Sequence, residues 1–186
     1  MKIGSEILIN DLISRTTEIL KKSQTLVELS ENELNYRISA ESWSSLECLE
    51  HLNLYGRFYI KEMNRRMLES SKQNTTVFKS GLLGNYFAKS MLPKAKLNTM
   101  KTFSNMNPIN SSLDKRVIEE FIQQQKEMLQ LLETARKKNL NKIKCGITIS
   151  KMLKLKLGDT FRFVIYHNER HMKQIDRVLT AVTSQQ

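Results

Sequence analysis

Four long stretches of this chain repeat apolar residues at i, i+3, i+4 and i+7, and each leaves one apolar stripe that must be kept from water. Near 6–30 the stripe is Ile9, Leu12, Ile13, Thr16, Ile19, Leu20, Ser23, Leu26 and Val27. Near 44–69 it is Leu46, Leu49, Leu52, Tyr55, Tyr59, Met63 and Met67, with Glu50, Arg57, Lys61 and Arg65 on the other side. Val117, Phe121, Ile122, Gln125, Met128, Leu129, Leu132 and Ala135 form the third, near 112–138. Phe161, Val164, Ile165, Asn168, Met172, Ile175, Leu179 and Val182 form the fourth, near 157–182. Such helices hide their stripes by packing on one another, so the expected fold is all-α, a four-helix bundle without substantial sheet. Two prolines and six glycines in 186 residues leave little to break the helices. That length reads as a single domain, 1–186, large enough for a real core.

Punctuation between the stripes gives the connections. Residues 30–37 break the first pattern. Ser44, with Glu47 three residues on, matches a capping box for the second helix, and Trp43 just before it suits a hydrophobic staple. From 70 to 112 the pattern loosens around Gly81, Gly84, Pro93 and Pro108, with a short helix expected over 82–92 and stopped by Pro93. A connection this long is unusual in a compact domain and suits a crossover that roofs a pocket. Ser112 is the expected cap of the third helix, Asp114 lies in its first turn, and Arg136, Lys137 and Lys138 end it as the helix dipole favours. A second loose connection, 139–156, holds Gly146 and a strand-like Ile147-Thr148-Ile149 too short to force a sheet.

Several function classes are excluded early. The N-terminus Met1-Lys2-Ile3-Gly4-Ser5-Glu6 lacks the apolar core of a secretory signal, and no apolar run approaches the ~20 residues of a membrane span. Cys48 and Cys145 have no ligand-like spacing, so reduced thiols in a cytoplasmic protein are expected. The net charge of +11 raises nucleic acid as a partner. Its Lys and Arg are scattered, however, and no zinc-finger spacing, recognition helix or aromatic-rich basic strand accompanies them, so a basic solvated surface without a specific nucleic-acid partner is expected. Leu131, with Phe78, Leu82 and Phe87 in the long connection, supplies apolar residues for a homodimer.

The chain has three histidines. His167 and His171 lie four residues apart, about one helical turn, so both rings project from one face. Such a pair is either a solvated surface pair or two ligands to one ion, each nitrogen at about 2.0–2.1 Å. Glu169 falls roughly 180° round the helix from their midpoint, so it cannot serve as the base of a zinc-protease pattern. His51 sits in the second helical pattern at the border of its apolar stripe. A bundle that packs helix two beside helix four would complete a three-histidine site open on one side.

Two segments carry a family resemblance. Trp43-Ser44-x-x-Glu47-x-x-x-His51-Leu52 resembles the W-S-x-x-E-x-x-x-H-L stretch of the DinB-like (DinB/YfiT) superfamily, and His167-x-x-Arg170-His171-x-x-Gln174 resembles its closing H-x-x-R-H-x-x-Q. The resemblance extends over nearly the whole chain, through the spacing of the two motifs and the poorly patterned middle. It implies an up-down-down-up four-helix bundle with long crossovers and a divalent metal held by His51, His167 and His171. It further implies a small-molecule substrate, since characterised relatives include S-transferases of low-molecular-weight thiols as well as isomerases and hydrolases.

The chemistry also follows from the residue types. Three neutral imidazoles leave an ion its full charge and an open position for water or substrate. With no carboxylate ligand assured, zinc, nickel and iron all suit the set. Glu47, one turn before His51, is either the capping-box acid or a partner that orients the ring; Gln174 and Tyr55, each about a turn beyond a histidine, are further candidates for that role. Cys48 reads as a small core residue rather than a fourth ligand.

Overall fold

In the computed structural model residues 1–93 and 102–184 are described. Among the described residues six α-helices carry the fold: α1 (Ser5–Thr25), α2 (Glu31–Asn35), α3 (Ser45–Leu68), α4 (Leu82–Met91), α5 (Arg116–Ala135) and α6 (Leu157–Thr183). The four long ones are the four expected helices, and most of each stripe is buried, from Ile9, Leu12 and Ile19 on α1 to Phe161, Val164, Ile165 and Ile175 on α6, whereas Val27 lies exposed past the end of α1, and Leu8, Ile118 and Leu131, outside the expected stripes, are buried. α1 packs against α5 and α6, and α3 packs against the same two, so the four close into a ring around one core.

Pairs between helices give their directions. Arg15 meets Glu169 and Lys22 meets Asp176, a step of seven residues on both partners, so α1 and α6 run parallel. Asn53 bonds the Val117 carbonyl and Arg57 meets Glu120, so α3 and α5 are parallel too. Glu6, at the start of α1, pairs with Arg136 just past the end of α5, which makes those two antiparallel. The order is therefore up-down-down-up. Gly56 permits the close α3–α5 approach, because a Cβ there would fall 1.7 Å from Gln124 Oε1.

The short elements differ from the sequence reading in detail. The capping box at Ser44 forms as expected, with Ser44 Oγ accepting from Glu47 N–H and Glu47 accepting from Ser44 N–H. Ser112 does not cap α5. That helix begins at Arg116, its N-cap is Lys115 with no side-chain cap, and Asp114 Oδ1 accepts the Arg116 N–H at 2.9 Å. The 139–156 connection is not structureless: β3 (Lys144–Ile147) and β4 (Ser150–Lys156) form an antiparallel hairpin, with Thr148 and Ile149 in its turn. Glu62 Oε1 accepts from Gly146 N–H at 2.8 Å and so ties the hairpin to α3. A second strand pair joins β1 (Lys2–Gly4) to β2 (Val77–Lys79).

The short helix expected over 82–92 is α4, and it packs along α6. Residues 94–101 of the long 70–112 connection lie outside the described residues. Leu131 and Phe78 are buried within the chain, so of the residues expected to pair two copies only Leu82, fully exposed, and Phe87, half-buried, reach the surface. No helix among the described residues is long and apolar enough to cross a membrane.

Candidate functional site

The antiparallel packing of α3 on α6 brings the three histidines together. His51 Nε2 lies 3.1 Å from His167 Nε2, and His171 Nε2 lies 3.1 Å from the same atom. One ligand nitrogen from each ring falls within 4.8 Å of the others. All three residues are buried, at 3%, 6% and 8% exposure, which removes the reading of His167 and His171 as a solvated pair.

The outer ring nitrogens show which way the inner ones face. His51 Nδ1 lies 2.6 Å from the Met106 carbonyl, and a carbonyl can only accept, so Nδ1 carries the proton and Nε2 presents a lone pair. His171 Nδ1 is likewise 3.0 Å from Gln174 Oε1. At least two lone pairs therefore converge on the third ring at 3.1 Å. Neighbouring nitrogens around a single ion with bonds of about 2.0–2.1 Å stand about 2.9–3.4 Å apart, so this donor set fits a divalent ion. Burial lowers the His51 pKa to about 4 and, with the His51 charge adding to it, that of His171 to about 3. Burial, then the charges of His171 and His51, hold His167 well below its ordinary range. Neutral imidazoles are the form a metal binds.

Aromatic rings hold the imidazoles in place. Trp43 lies 4.6 Å from the His51 ring and 5.7 Å from that of His171, centroid to centroid, and its Nε1–H donates to Asn107 Oδ1 at 3.1 Å. Tyr55 sits 5.0 Å from His51 and 4.9 Å from His167, and Phe163 stacks 6.0 Å from His167. Burial raises the Tyr55 hydroxyl to about 12, so it stays protonated and can donate but not act as a base.

Glu47 takes the capping role, and it does more than the sequence could show. Its carboxylate also accepts from Arg37 (2.6 and 3.0 Å) and from Asn110 N–H (2.6 Å). Asn110 has φ 64°, the left-handed backbone that asparagine tolerates. Glu47 thus pins the loop that carries Met106 over His51, as well as the start of the helix that carries His51. Gln174 does orient its histidine directly. Glu169 points away, bonded to Arg15 at 2.9 and 3.0 Å. Cys48 is fully buried in the core, its thiol pKa pushed up by burial, and it is no part of the cluster.

The histidines open on a cavity of about 700 Å³. Trp43, Tyr55, Met91, Phe103, Ile109 and Phe163 give it apolar walls, and Arg170, Gln174 and Arg177 continue the α6 side beyond the histidines. The long connection does supply part of the roof, through Met91 and residues 102–109. Sequence reasoning missed three contributors: Trp43 as a site wall rather than a staple, the Met106 carbonyl, and Phe163. Trp43 precedes the N-cap of α3 and stands in the same motif as His51, a signal that could have placed it; a backbone carbonyl leaves no mark in a sequence.

Ring order, helix directions and a buried three-histidine cluster at the α3–α6 contact define a class: an up-down-down-up helical bundle with a metal-compatible site in its wall. The chain belongs to the DinB superfamily, whose sequence pattern matches residues 21–175. No curated protein and no solved structure gives a significant match.

Proposed function

We propose that this protein is a metal-dependent enzyme acting on a small molecule, as a transferase of a low-molecular-weight thiol or as a hydrolase, with one divalent ion (zinc, nickel or iron) held by His51, His167 and His171. The observation that carries the reading is the convergence of buried, neutral imidazole nitrogens 3.1 Å apart on the wall of a 700 Å³ cavity. When bound, such an ion supplies a Lewis acid that lowers the pKa of a coordinated water or thiol. The chain's own residues do the rest. The Met106 carbonyl and Gln174 keep the Nδ1 protons of His51 and His171 in place, so the inner nitrogens stay available. Trp43 and Phe163 exclude water and fix ring orientation, and the protonated Tyr55 hydroxyl offers a donor at the cavity wall.

A bundle that binds its ion without catalysis is the second reading. In its favour, Glu41 is the one carboxylate among the described residues that line the cavity, and it is exposed. Metal stoichiometry after extraction and reloading with zinc or nickel tests the shared premise: wild type is expected to take one ion per chain, and His171→Ala to bind far more weakly with its helix content kept. Equal uptake and affinity in both proteins sinks the site. Turnover of the loaded protein with several low-molecular-weight thiols then separates enzyme from binder.

A further inference from the structure

The net charge of +11 is not spread evenly along the chain. Residues 70–113 and 137–158, the two connections with their flanks, hold 13 lysines, no arginine and no acid. The other 17 basic residues stand against all 19 acids, so the rest of the chain is at −2 and the connections carry the whole excess. The fold then gathers them. α1 and α6 start, and α3 and α5 end, at the same end of the bundle, so both connections leave from there. They are laced together: Asn139 N–H donates to the Lys72 carbonyl (3.0 Å), Lys79 N–H to Asn141 Oδ1 (2.8 Å) and Lys138 Nζ to the Ser70 carbonyl (3.0 Å). Lys72, Lys142, Lys144 and Lys154 line one groove there. Glu69 is the one acid among its described lining residues, and it is already bonded to Arg65 and Arg66. Lys144 and Lys156 stand opposite each other across the β3–β4 hairpin, a like-charge pairing whose cost an anionic partner would offset.

Apolar side chains stand among these cations. α4 buries Gly84, Ala88 and Met91 and turns Leu82, Leu83, Tyr86 and Lys89 to solvent. Beside it, β4 exposes Met152, Leu153 and Lys154. Leu82 and Met152 are 97% and 92% exposed. Single exposed apolar residues are ordinary, but five on two adjoining elements make a patch.

We propose that this lysine-rich end and the adjoining α4–β4 face form a docking surface for an anionic lipid bilayer, on which the protein lies without crossing it. The lysines supply attraction at the level of the headgroups, and Leu82, Tyr86 and Met152 reach into the boundary between headgroups and acyl chains. Nucleic acid is the other polyanion to weigh. Its recognition draws on the arginine fork and on stacked aromatic rings. The connections hold no arginine, and Tyr86 is the one exposed aromatic on α4 and β4. Leucine and methionine tips that a bilayer takes up would stay in water against a phosphate backbone.

Co-sedimentation of the full chain with vesicles is the test. Wild type is expected to bind vesicles of phosphatidylcholine with about one-third phosphatidylserine about tenfold or more tighter than phosphatidylcholine alone, and to come off as salt rises toward about 1 M. K142Q/K144Q/K154Q, at three exposed positions, is expected to weaken that binding about 100-fold. L82S/M152S keeps every charge and is expected to weaken it about tenfold, while leaving any binding to a mixed-sequence DNA duplex unchanged. Equal binding to both vesicles, lipid binding unmoved by either variant, or a duplex bound more tightly than the anionic vesicles overturns the proposal. Hydrogen exchange of the wild type with anionic vesicles needs no variant: added protection over 82–86 and 152–156 supports the docking surface, and its absence there removes it.

Discussion

The first turn of α6 and its middle both bury polar side chains, but they resolve the cost of doing so differently. At the start, Asp159 and Arg162 are 0% and 2% exposed and meet at 3.1 Å. Asp159 also accepts from Ser80 Oγ and from Gly81 N–H, capping α4 from outside that helix, while Arg162 donates to Ser80 and Asn85. Arg162 Nε alone of this group has no hydrogen-bond partner, and the guanidinium lies over the Tyr166 ring at 5.7 Å. Eight residues later His167 meets His171 and, from α3, His51, and at least two of the three rings turn lone pairs inward. A polar cluster whose donors and acceptors close on themselves is a fastening; one whose acceptors converge is a place for something with positive charge.

Breaking the fastening gives the largest effect. Asp159→Ala leaves Arg162 buried without its counter-charge and uncaps α4, and should cost about 3–5 kcal/mol. Urea denaturation would show this as a fall in midpoint. A loss under 1 kcal/mol would mean that the two clusters are not different in kind.

Acid should act next, and through the histidines. The folded chain holds them neutral, with His51 near 4 and His171 near 3, while the unfolded chain begins to protonate them at about 6.5. The unfolded state therefore takes up protons first, so metal-free protein is at full stability above about 6.5 and loses it as pH falls, the loss being complete only below about 3. Denaturation midpoints from pH 7 to 4 measure the slope, which His51→Ala should flatten. An unchanged slope in that variant would place the acid sensitivity elsewhere.

The smallest effect sharpens the contrast. Gln174→Ala removes one hydrogen bond made by a half-buried side chain, so the metal-free fold should hardly notice, yet zinc affinity should fall about 10- to 100-fold. Competition with a chromophoric chelator measures it. If stability falls and affinity does not, Gln174 belongs with the fastening and not with the site.

The sequence alone determined the all-α class, the four long helices to within a few residues, the Ser44–Glu47 cap and the two segments that supply His51, His167 and His171. Each of these is a local matter: a 3.6-residue period, a cap three residues from its partner, a pair of side chains one turn apart. What it left open were choices between readings that only a neighbour from far along the chain could settle. Ile147-Thr148-Ile149 became the corner of a hairpin that Glu62 on α3 anchors through Gly146. Whether His167 and His171 were surface or site depended on α3 lying antiparallel against α6, and Glu47 acquired its hold on the 106–110 loop only once Asn110 folded back on it. Periodicity tells a helix which face to bury. Which face it meets, and therefore which lone pairs and charges end up sharing a cavity, is decided by contacts between segments far apart in the chain that no local pattern encodes.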